Sequence, residues 1–261
     1  MPGPPTGIER QLRLEGAENL RDIGGYASGE GRHTRWRTVF RSDSLHRLSA
    51  PGQAWLIQAG LRSVIDLRDN VDASEVPNVF RNSTAVRYRH IPIFETPLPD
   101  GVEPPSLWVG YMRMVHQRGD RIRCVVEALL EPEATPLVIQ CGLGKDRTGL
   151  VIALLLAAVG VPDGTIVDDY ALSSECLRSG PYLAEARERA ERKGWTWPQC
   201  AELWDCPPRL MVDLLDHLGA QFGGVRQYLG TLGLTDEQLN RLEHLLVESS
   251  PDHFSWCCPD Q

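Results

Sequence analysis

Short apolar runs alternate with stretches of helical periodicity through the N-terminal part of the chain. The apolar runs predict buried strands around Thr38–Arg41, Ser63–Leu67, Val86–Ile91 and Leu137–Gln140, and helical patterns fall near 52–60, 108–130 and 149–159. Strands that alternate with helices favour an α/β fold, because each helix crosses one face of the sheet and returns the chain in parallel. The pattern therefore predicts a mostly parallel central sheet flanked by helices.

The C-terminal part of the chain carries helical signals without intervening strands. Thr235 and Gln238 have the spacing of a capping box, which marks the start of a helix. Three leucines, Leu239, Leu242 and Leu246, then fall on one face of that helix and predict that it packs on the core. The expected architecture is an α/β fold with a helical C-terminal part.

Composition divides the chain into one domain and two flanking segments. We predict that residues 15–248 form a single domain, because this range carries the apolar patterning and is long enough for a substantial core. The proline-rich start, 1–14, is expected to be a flexible segment, and 249–261 a loose tail. Residues 176–208 hold three tryptophans, so this part is either a lid or a helical insertion in which the tryptophans simply pack.

The most informative segment joins the last predicted strand to the helix after it. There Cys141 and Arg147 stand six positions apart across a glycine-containing loop. The main-chain N–H groups of such a loop converge with the positive dipole end of the helix, and together they bind an anion without a metal. The loop predicts a phosphate-binding site whose candidate residues are Gly142, Leu143, Gly144, Lys145, Asp146, Arg147 and Thr148.

The two residues at the ends of the loop supply catalytic chemistry. A thiol beside a helix N-terminus and a cation ionises more readily than a free thiol, which predicts that Cys141 acts as a nucleophile. The planar guanidinium of Arg147 can grip two phosphoryl oxygens at once, which a lysine cannot do. We therefore expect Cys141 and Arg147 to be catalytic residues.

The loop resembles the Cys-x5-Arg-Thr/Ser signature of the cysteine-dependent protein tyrosine phosphatase superfamily. Its Gly-Lys-Asp-Arg-Thr-Gly form is similar to the bacterial tyrosine and lipid phosphatase branch, which is dual-specificity-like. Further stretches resemble that branch in the same order: Asn19–Tyr26, Phe40–Leu45, Val64–Arg68, Asp168–Ser173 and Gly224–Leu229. The resemblance covers roughly residues 15 to 248 and implies a phosphatase-like three-layer architecture.

The resemblance also implies a metal-independent phosphomonoesterase that works through a phosphocysteine intermediate and needs no cofactor. Phosphotyrosine in a protein is the expected substrate, with phosphoserine, phosphothreonine or phosphoinositide as further substrates. A small metabolite, such as a nucleoside or sugar monophosphate, is an alternative. A weakly active or inactive phosphate-binding pseudophosphatase is another, because Gln140 stands where relatives usually carry histidine.

A departing alcohol or phenol needs a proton, and four aspartates are candidates for the acid. Asp146 in the loop resembles the acid proposed for phosphatases that carry aspartate before the loop arginine, and it is the first choice. Asp66 is second, since it lies at the end of an apolar strand, where α/β sites gather. Asp100, in a proline-containing loop, and Asp22 follow. Each could instead be a turn-forming or solvated carboxylate.

Several charged or polar side chains leave two interpretations open. Lys145 either contacts a second anionic group on the substrate, as similar lysines do in phosphoinositide phosphatases, or lies in water on the surface. Thr148 hydrogen-bonds the thiolate, caps the helix that follows, or does both. Arg21, Arg41 and Arg68 either point toward the pocket or pair with acids. Spacing alone does not separate these alternatives.

The net charge and the number of cysteines limit which cellular compartment and which binding partners we expect for the protein. The formal net charge of −8 disfavours binding to nucleic acid or to an acidic membrane surface, so an anionic substrate must be attracted locally. Seven cysteines, an odd number, indicate reduced thiols and a cytoplasmic protein. Cysteine and histidine spacings fit no zinc site, and the longest apolar run is too short to span a bilayer. The expected partner is a phosphorylated protein or a small phosphomonoester, with no metal.

Overall fold

The computed structural model of the protein describes residues 10–29, 31–96, 106–178, 182–192, 194–196 and 201–249. The strands among them are β1 Arg21–Asp22, β2 Arg32–Thr34, β3 Val39–Ser42, β4 Ser63–Asp66, β5 Arg87–His90, β6 Leu137–Gln140 and β7 Val247–Ser249. Five strands form the central sheet in the order β1-β3-β6-β4-β5, and β2 pairs with β7. β3, β6, β4 and β5 are parallel, and β1 is antiparallel to β3. The expectation of a mostly parallel central sheet is confirmed.

Helices occupy the connections between the strands and the C-terminal part. They are α1 Ala50–Gln58, α2 Asn70–Glu75, α3 Leu107–Gln117, α4 Gly119–Leu129, α5 Arg147–Ala158, α6 Asp163–Arg178, α7 Tyr182–Arg192, α8 Pro208–Phe222, α9 Val225–Thr231 and α10 Asp236–Leu246. Short 3-10 helices cover Leu45–Arg47 and Ala201–Trp204. The pattern near 108–130 folds as two helices, α3 and α4, because Arg118 between them leaves the helical conformation at φ −128°. The capping box before α10 is confirmed, with both reciprocal hydrogen bonds present.

The register of the parallel strands brings three chain segments to one edge of the sheet. Gln140 at the end of β6 lies opposite Ser42 in β3 and Asp66 in β4. Because parallel strands end on the same side of a sheet, the segments that follow these residues leave from one edge. The loop between Cys141 and Arg147 is therefore bordered by the segments that follow β3 and β4.

Apolar side chains form one layer on each face of the sheet. In β6, Ile139 belongs to one layer and Val138 to the other, as the two-residue period of a strand requires. Helix α5 lies in the first layer and is buried nearly all round, which accounts for the uninterrupted apolar run from Leu150. Leu56 of α1 packs in the second layer. Helices thus cover both faces, and the three-layer arrangement is confirmed.

The packed part of the chain begins before residue 15. Leu12 is buried, and its N–H donates to the Leu20 carbonyl at 3.0 Å. At the other end Ser249 pairs with Arg32, so the first residue assigned to the tail belongs to a strand. Residues 1–9 and 250–261 lie outside the described residues. In the part of the chain that is described, every helix is too short or too polar to cross a membrane.

The tryptophan-containing segment 176–208 contributes α7, which is anchored to the segment after β3. Tyr182 Oη donates to Asp43 Oδ2 at 2.6 Å, and Arg47 pairs with Glu185 at 2.6 Å. Trp197 lies outside the described residues. The choice between a lid and a helical insertion stays a prediction.

Candidate active site

The loop after β6 is held by three hydrogen bonds to its carbonyl groups. The donor and acceptor pairs are Ser44 N with Gly142 O at 3.0 Å, Asn19 Nδ2 with Leu143 O at 2.9 Å, and Arg41 Nη2 with Gly144 O at 2.8 Å. A trans peptide is planar, and its C=O and the next N–H point in opposite directions. The N–H groups of residues 143 to 145 are therefore turned away from these donors, toward the other side of the loop. We call this set of N–H groups the cradle, because it can hold an anion.

Cys141 lies at the base of the loop, directly after the buried strand β6. Its side chain is 2% exposed, and its thiol is free. The protein thus keeps this sulfur out of bulk water, at the start of the loop that carries the N–H donors. Elsewhere, the His, Cys, Asp and Glu side chains of the described residues form no group of three or more placed to hold a metal ion.

Gly144 brings the loop against β3. Its φ of +69° lies in the left-handed region, and a Cβ at this position would lie 2.4 Å from the Ser42 carbonyl oxygen. A side chain therefore has neither the space nor the backbone conformation that it needs here. Glycine at this position sets how closely the loop approaches the strand.

We expect Gly144→Ala to lower both stability and phosphate binding by displacing the loop. The left-handed conformation costs an alanine about 1–2 kcal/mol, and the overlap with the Ser42 carbonyl adds to that cost. Gly164→Ala is the matched control, because a Cβ on Gly164 meets nothing within 4 Å. Thermal unfolding with and without inorganic phosphate measures both effects. Equal unfolding temperatures for the two variants would contradict the role assigned to Gly144.

Arg147 starts α5 and folds its guanidinium back over the loop. Nη2 lies 3.4 Å from the position that a Cβ on Gly142 would take, beside the residue that follows Cys141. Nη1 lies 3.7 Å from Asp69 Oδ2, and the Arg147 side chain is 20% exposed. Asp69 also caps α2 by accepting from the N–H of Asp72 at 2.9 Å. Asp69 thus forms an ion pair with Arg147. Sequence reasoning missed this contact, and its signal is an aspartate between a strand end and a helix start.

Asp66 at the end of β4 is held as a carboxylate by Arg68. Arg68 Nη2 donates to Asp66 Oδ2 at 2.7 Å, and the Tyr88 hydroxyl donates to the same oxygen at 2.8 Å. Burial alone would raise the pKa of Asp66, but the hydrogen bonds and the charge of Arg68 outweigh it and lower the pKa below its ordinary value. Both oxygens of Asp66 accept hydrogen bonds and its side chain is 0% exposed, so neither oxygen is open to a substrate. Its contacts favour a structural role in the turn that carries Asp69.

The other candidate acids differ in their surroundings. Asp22 accepts from the N–H groups of Gly24 and Arg37 at 2.8 and 2.7 Å, as a turn-forming carboxylate does. Asp100 lies outside the described residues. Asp146 stands where the loop meets α5, and its side chain is 32% exposed. Among the candidates that are described, Asp146 therefore has the position that best suits an acid.

The side chain of Lys145 is inside the protein and not on its surface. It is 0% exposed, and Nζ donates to the Asp205 carbonyl at 2.7 Å. Nζ also lies 3.1 Å from Asp146 Oδ1, as an ion pair without hydrogen-bond geometry. These contacts leave the main-chain N–H as the contribution of Lys145 to the cradle.

Gln140, where relatives usually carry histidine, ties the loop to the segment after β3. Its Oε1 accepts from the N–H of Leu45 at 2.7 Å. Because a backbone N–H must meet the amide oxygen, this contact fixes the orientation of the side chain. Gln140 Nε2 and Thr148 Oγ1 are buried and have no hydrogen-bond partner among the described residues. A neutral amide therefore orders this side of the loop.

A buried ion network supports the loop from α6. Arg21 Nε lies 3.0 Å from Asp169 Oδ1, and Arg41 Nη1 lies 2.5 Å from Asp169 Oδ2, with all three side chains buried. Burial alone would raise the pKa of Asp169, but the charges of Arg21 and Arg41 hold it far below its ordinary value. Since Arg41 also donates to the Gly144 carbonyl, the network connects α6 to the loop. Arg21 and Arg41, like Arg68, pair with acids.

We expect Asp169→Asn to lower the free energy of unfolding at neutral pH by about 3–5 kcal/mol, because two guanidinium groups stay buried without an anion. Asp168→Asn, at the exposed neighbouring position, is the control. The stabilisation by Asp169 is present above the pKa of aspartate in the unfolded chain, about 3.9, and is lost as the pH falls below it. Urea unfolding across this range should show the difference from wild type shrinking. A difference that does not change with pH would count against the ion network.

The fold and the loop together define the class of protein. A parallel sheet ends in a free cysteine, and the next helix begins with a cradle of N–H groups and a guanidinium, as in α/β proteins that bind phosphate. The family model described as "Tyrosine phosphatase family" matches residues 12–248, and the chain belongs to that family. The resemblance to tyrosine phosphatases found in the sequence is thereby confirmed.

Two phosphatases of similar sequence are consistent with membership in this family. The tyrosine-protein phosphatase of Nostoc commune is 26% identical over 217 residues, which cover 78% of this chain and 72% of that protein. The triple specificity protein phosphatase PtpB of Mycobacterium tuberculosis is 28% identical over 207 residues, which cover 67% of this chain and 71% of that protein. The crystal structure of P. aeruginosa TpbA aligns with 54% of this chain and 72% of its own, at 16% identity and a TM-score of 0.35. A likeness at that score adds nothing to what the sheet topology shows.

Proposed function

We propose that the protein hydrolyses phosphotyrosine in proteins through a phosphocysteine on Cys141, without a metal. The observation that carries the proposal is the Arg147 guanidinium, which folds back beside Gly142 next to the cradle. A phosphoryl group held there has N–H donors and a guanidinium for its oxygens and the Cys141 sulfur as its attacking neighbour. These groups supply the charge stabilisation for which other enzymes of phosphoryl transfer use metal ions.

In the first step the Cys141 thiolate attacks phosphorus. A sulfur–phosphorus bond forms, and the bond between phosphorus and the tyrosine oxygen breaks. Asp146 gives its proton to that oxygen, so that tyrosine leaves as a neutral phenol. Arg147 and the cradle hold the other three oxygens while the phosphoryl group becomes planar in the transition state.

In the second step a water molecule attacks the phosphocysteine. Asp146, now a carboxylate, takes a proton from the water molecule while the water oxygen bonds to phosphorus. The sulfur–phosphorus bond breaks, inorganic phosphate leaves and the Cys141 thiolate is restored. One aspartate thus acts as the acid in the first step and as the base in the second.

Several substrate classes fit this chemistry. Family membership supports phosphotyrosine as the principal substrate. A relative named a triple specificity protein phosphatase supports a wider range, and phosphoserine, phosphothreonine and phosphoinositide are proposed as secondary substrates. A nucleoside or sugar monophosphate stays an alternative. A pseudophosphatase also stays an alternative, although the hydrogen bond from Leu45 N to Gln140 Oε1 supports an ordered loop in an active enzyme.

A substrate panel tests the proposed function. The panel contains a phosphotyrosine peptide, a phosphoserine peptide, a short-chain phosphoinositide and a nucleoside monophosphate. We expect the highest kcat/KM for the phosphotyrosine peptide, no loss of rate with a chelator, and phosphate on Cys141 after acid quenching and mass spectrometry. A higher kcat/KM for the nucleoside monophosphate would favour the metabolite alternative. Phosphate binding without turnover of any substrate would favour the pseudophosphatase.

A further inference from the structure

The ammonium group of Lys145 is held from outside the loop by the segment before α8, and this segment is in turn bonded to α6. Nζ donates to the carbonyl of Asp205, which lies shortly before α8. Asp205 is itself held, because Ser174 of α6 donates to its Oδ1 at 2.6 Å and the N–H of Cys206 donates to Ser174 Oγ at 2.8 Å. The position of the charge therefore does not depend on the loop alone.

The same ammonium group determines which oxygen of Asp146 can exchange a proton with a substrate. Nζ lies 3.1 Å from Asp146 Oδ1, and Oδ1 is buried although the side chain as a whole is 32% exposed. The ring of Tyr170 lies against Gly149 of α5, and Tyr170 is also near the Asp146 carboxylate. Burial raises the pKa of Tyr170, and the charge of Asp146 raises it further. Oδ1 is thus on the enclosed side of the carboxyl group. Proton transfer to a substrate must use Oδ2.

We infer that Lys145 is a positioning residue for the acid Asp146 and that its ammonium group is not a ligand of the substrate phosphate. The inference rests on the proposed function, in which Asp146 is the acid. The ion pair keeps one carboxyl oxygen inside the protein, so the other has one orientation toward the leaving group. Without the cation, Oδ1 would lie buried beside an uncharged side chain, and the carboxyl group would turn toward water.

This arrangement has a consequence for the substrate class. An ammonium group that contacts Asp205 and Asp146 inside the protein is not free to bind a second phosphate on the substrate. A phosphoinositide with two phosphates therefore gains nothing from Lys145 over one with a single phosphate. Lys145 instead supports proton transfer to every phosphomonoester that the protein hydrolyses.

Lys145→Met, Asp146→Asn and the double variant test the inference with two aryl phosphates. General acid catalysis contributes about 10²–10⁴-fold, so with phenyl phosphate Asp146→Asn should lose a factor of that order and Lys145→Met about tenfold or more. The losses should be much smaller with p-nitrophenyl phosphate, whose leaving group needs less help from a proton. KM should not change. The double variant should be no slower than Asp146→Asn, because Lys145 acts through Asp146.

Other outcomes would overturn the inference. For Lys145→Met these are a raised KM with an unchanged kcat, or a loss of rate that is the same for both aryl phosphates. A loss of rate in the double variant that equals the product of the two single losses is another. A fourth is a greater loss of rate by Lys145→Met with a phosphoinositide bisphosphate than with a phosphotyrosine peptide. Lys145→Arg, which keeps the charge, should retain more of the phenyl phosphate rate than Lys145→Met. The proposed function fails separately, if the wild-type protein turns over no phosphotyrosine peptide or carries no phosphate on Cys141 during turnover.

Ser174→Ala keeps the inference testable if Lys145→Met does not fold. This variant removes the two hydrogen bonds that Ser174 Oγ makes with Asp205 Oδ1 and Cys206 N, and it leaves the loop and Lys145 unchanged. We expect kcat for phenyl phosphate to fall by about fivefold, with a smaller effect for p-nitrophenyl phosphate. An unchanged rate with phenyl phosphate would overturn the inference. Thermal unfolding with inorganic phosphate verifies that each variant is folded and has an intact cradle.

Discussion

Cys141→Ser is expected to lower kcat by about 10⁴-fold or more, because the nucleophile of the first step is lost and a serine hydroxyl is not ionised at neutral pH. The cradle and Arg147 are unchanged in this variant, so inorganic phosphate should still bind and still raise the unfolding temperature. Steady-state turnover of p-nitrophenyl phosphate measures the rate. Thermal unfolding with increasing phosphate measures the binding.

Cys124→Ser is the control for this experiment. Cys124 is a free cysteine at an exposed position of α4, outside the loop and outside the network around Lys145. Its variant should keep most of the activity. Equal losses in the two variants, or turnover by Cys141→Ser at a rate near that of wild type, would remove Cys141 from the mechanism.

Arg147→Lys is expected to lower kcat/KM by about 10³–10⁵-fold, the range found for arginines that stabilise phosphoryl transfer. Lysine keeps the positive charge but offers a single point of contact, so it cannot bind two phosphoryl oxygens in one plane. It also cannot contact Asp69 while it reaches across Gly142, as the guanidinium does through Nη1 and Nη2. Both kcat and the affinity for inorganic phosphate should fall.

Arg209→Lys provides the control for the loss of a guanidinium. The Arg209 side chain is 83% exposed and pairs with Asp213 one turn further along α8. Its replacement should leave kcat/KM unchanged. The clamp proposed for Arg147 would be contradicted if Arg147→Lys kept the rate and the phosphate affinity of the wild-type protein.

The loop could be predicted from the sequence because its chemistry is local. A buried strand, a cysteine, an arginine and an apolar helix follow one another, and β6 ends at Gln140 while α5 begins at Arg147. The alternation of strands and helices was likewise enough to predict the parallel sheet. The helical pattern near 108–130 was less informative. Its apolar periodicity continues across a short interruption, so it did not indicate that the helix is divided at Arg118.

The roles of the charged residues could not be predicted in the same way, because their partners are distant in the chain. Asp169 lies 148 positions from Arg21 and 128 from Arg41, and Lys145 lies 60 positions from Asp205. The sequence left open whether these side chains face a substrate, a counter-ion or water. Burial and distance decided in favour of internal partners.

The sequence by itself determined the sheet, the position of the thiol and the guanidinium, and the family, because all of these depend on residues close together or on their order along the chain. Only the tertiary structure decided that Arg68 pairs with Asp66, that Asp69 pairs with Arg147 and that Lys145 is buried beside Asp146. The physical reason is that charge and solvent exposure are properties of a side chain's surroundings. Those surroundings come from elements that meet only when the chain folds.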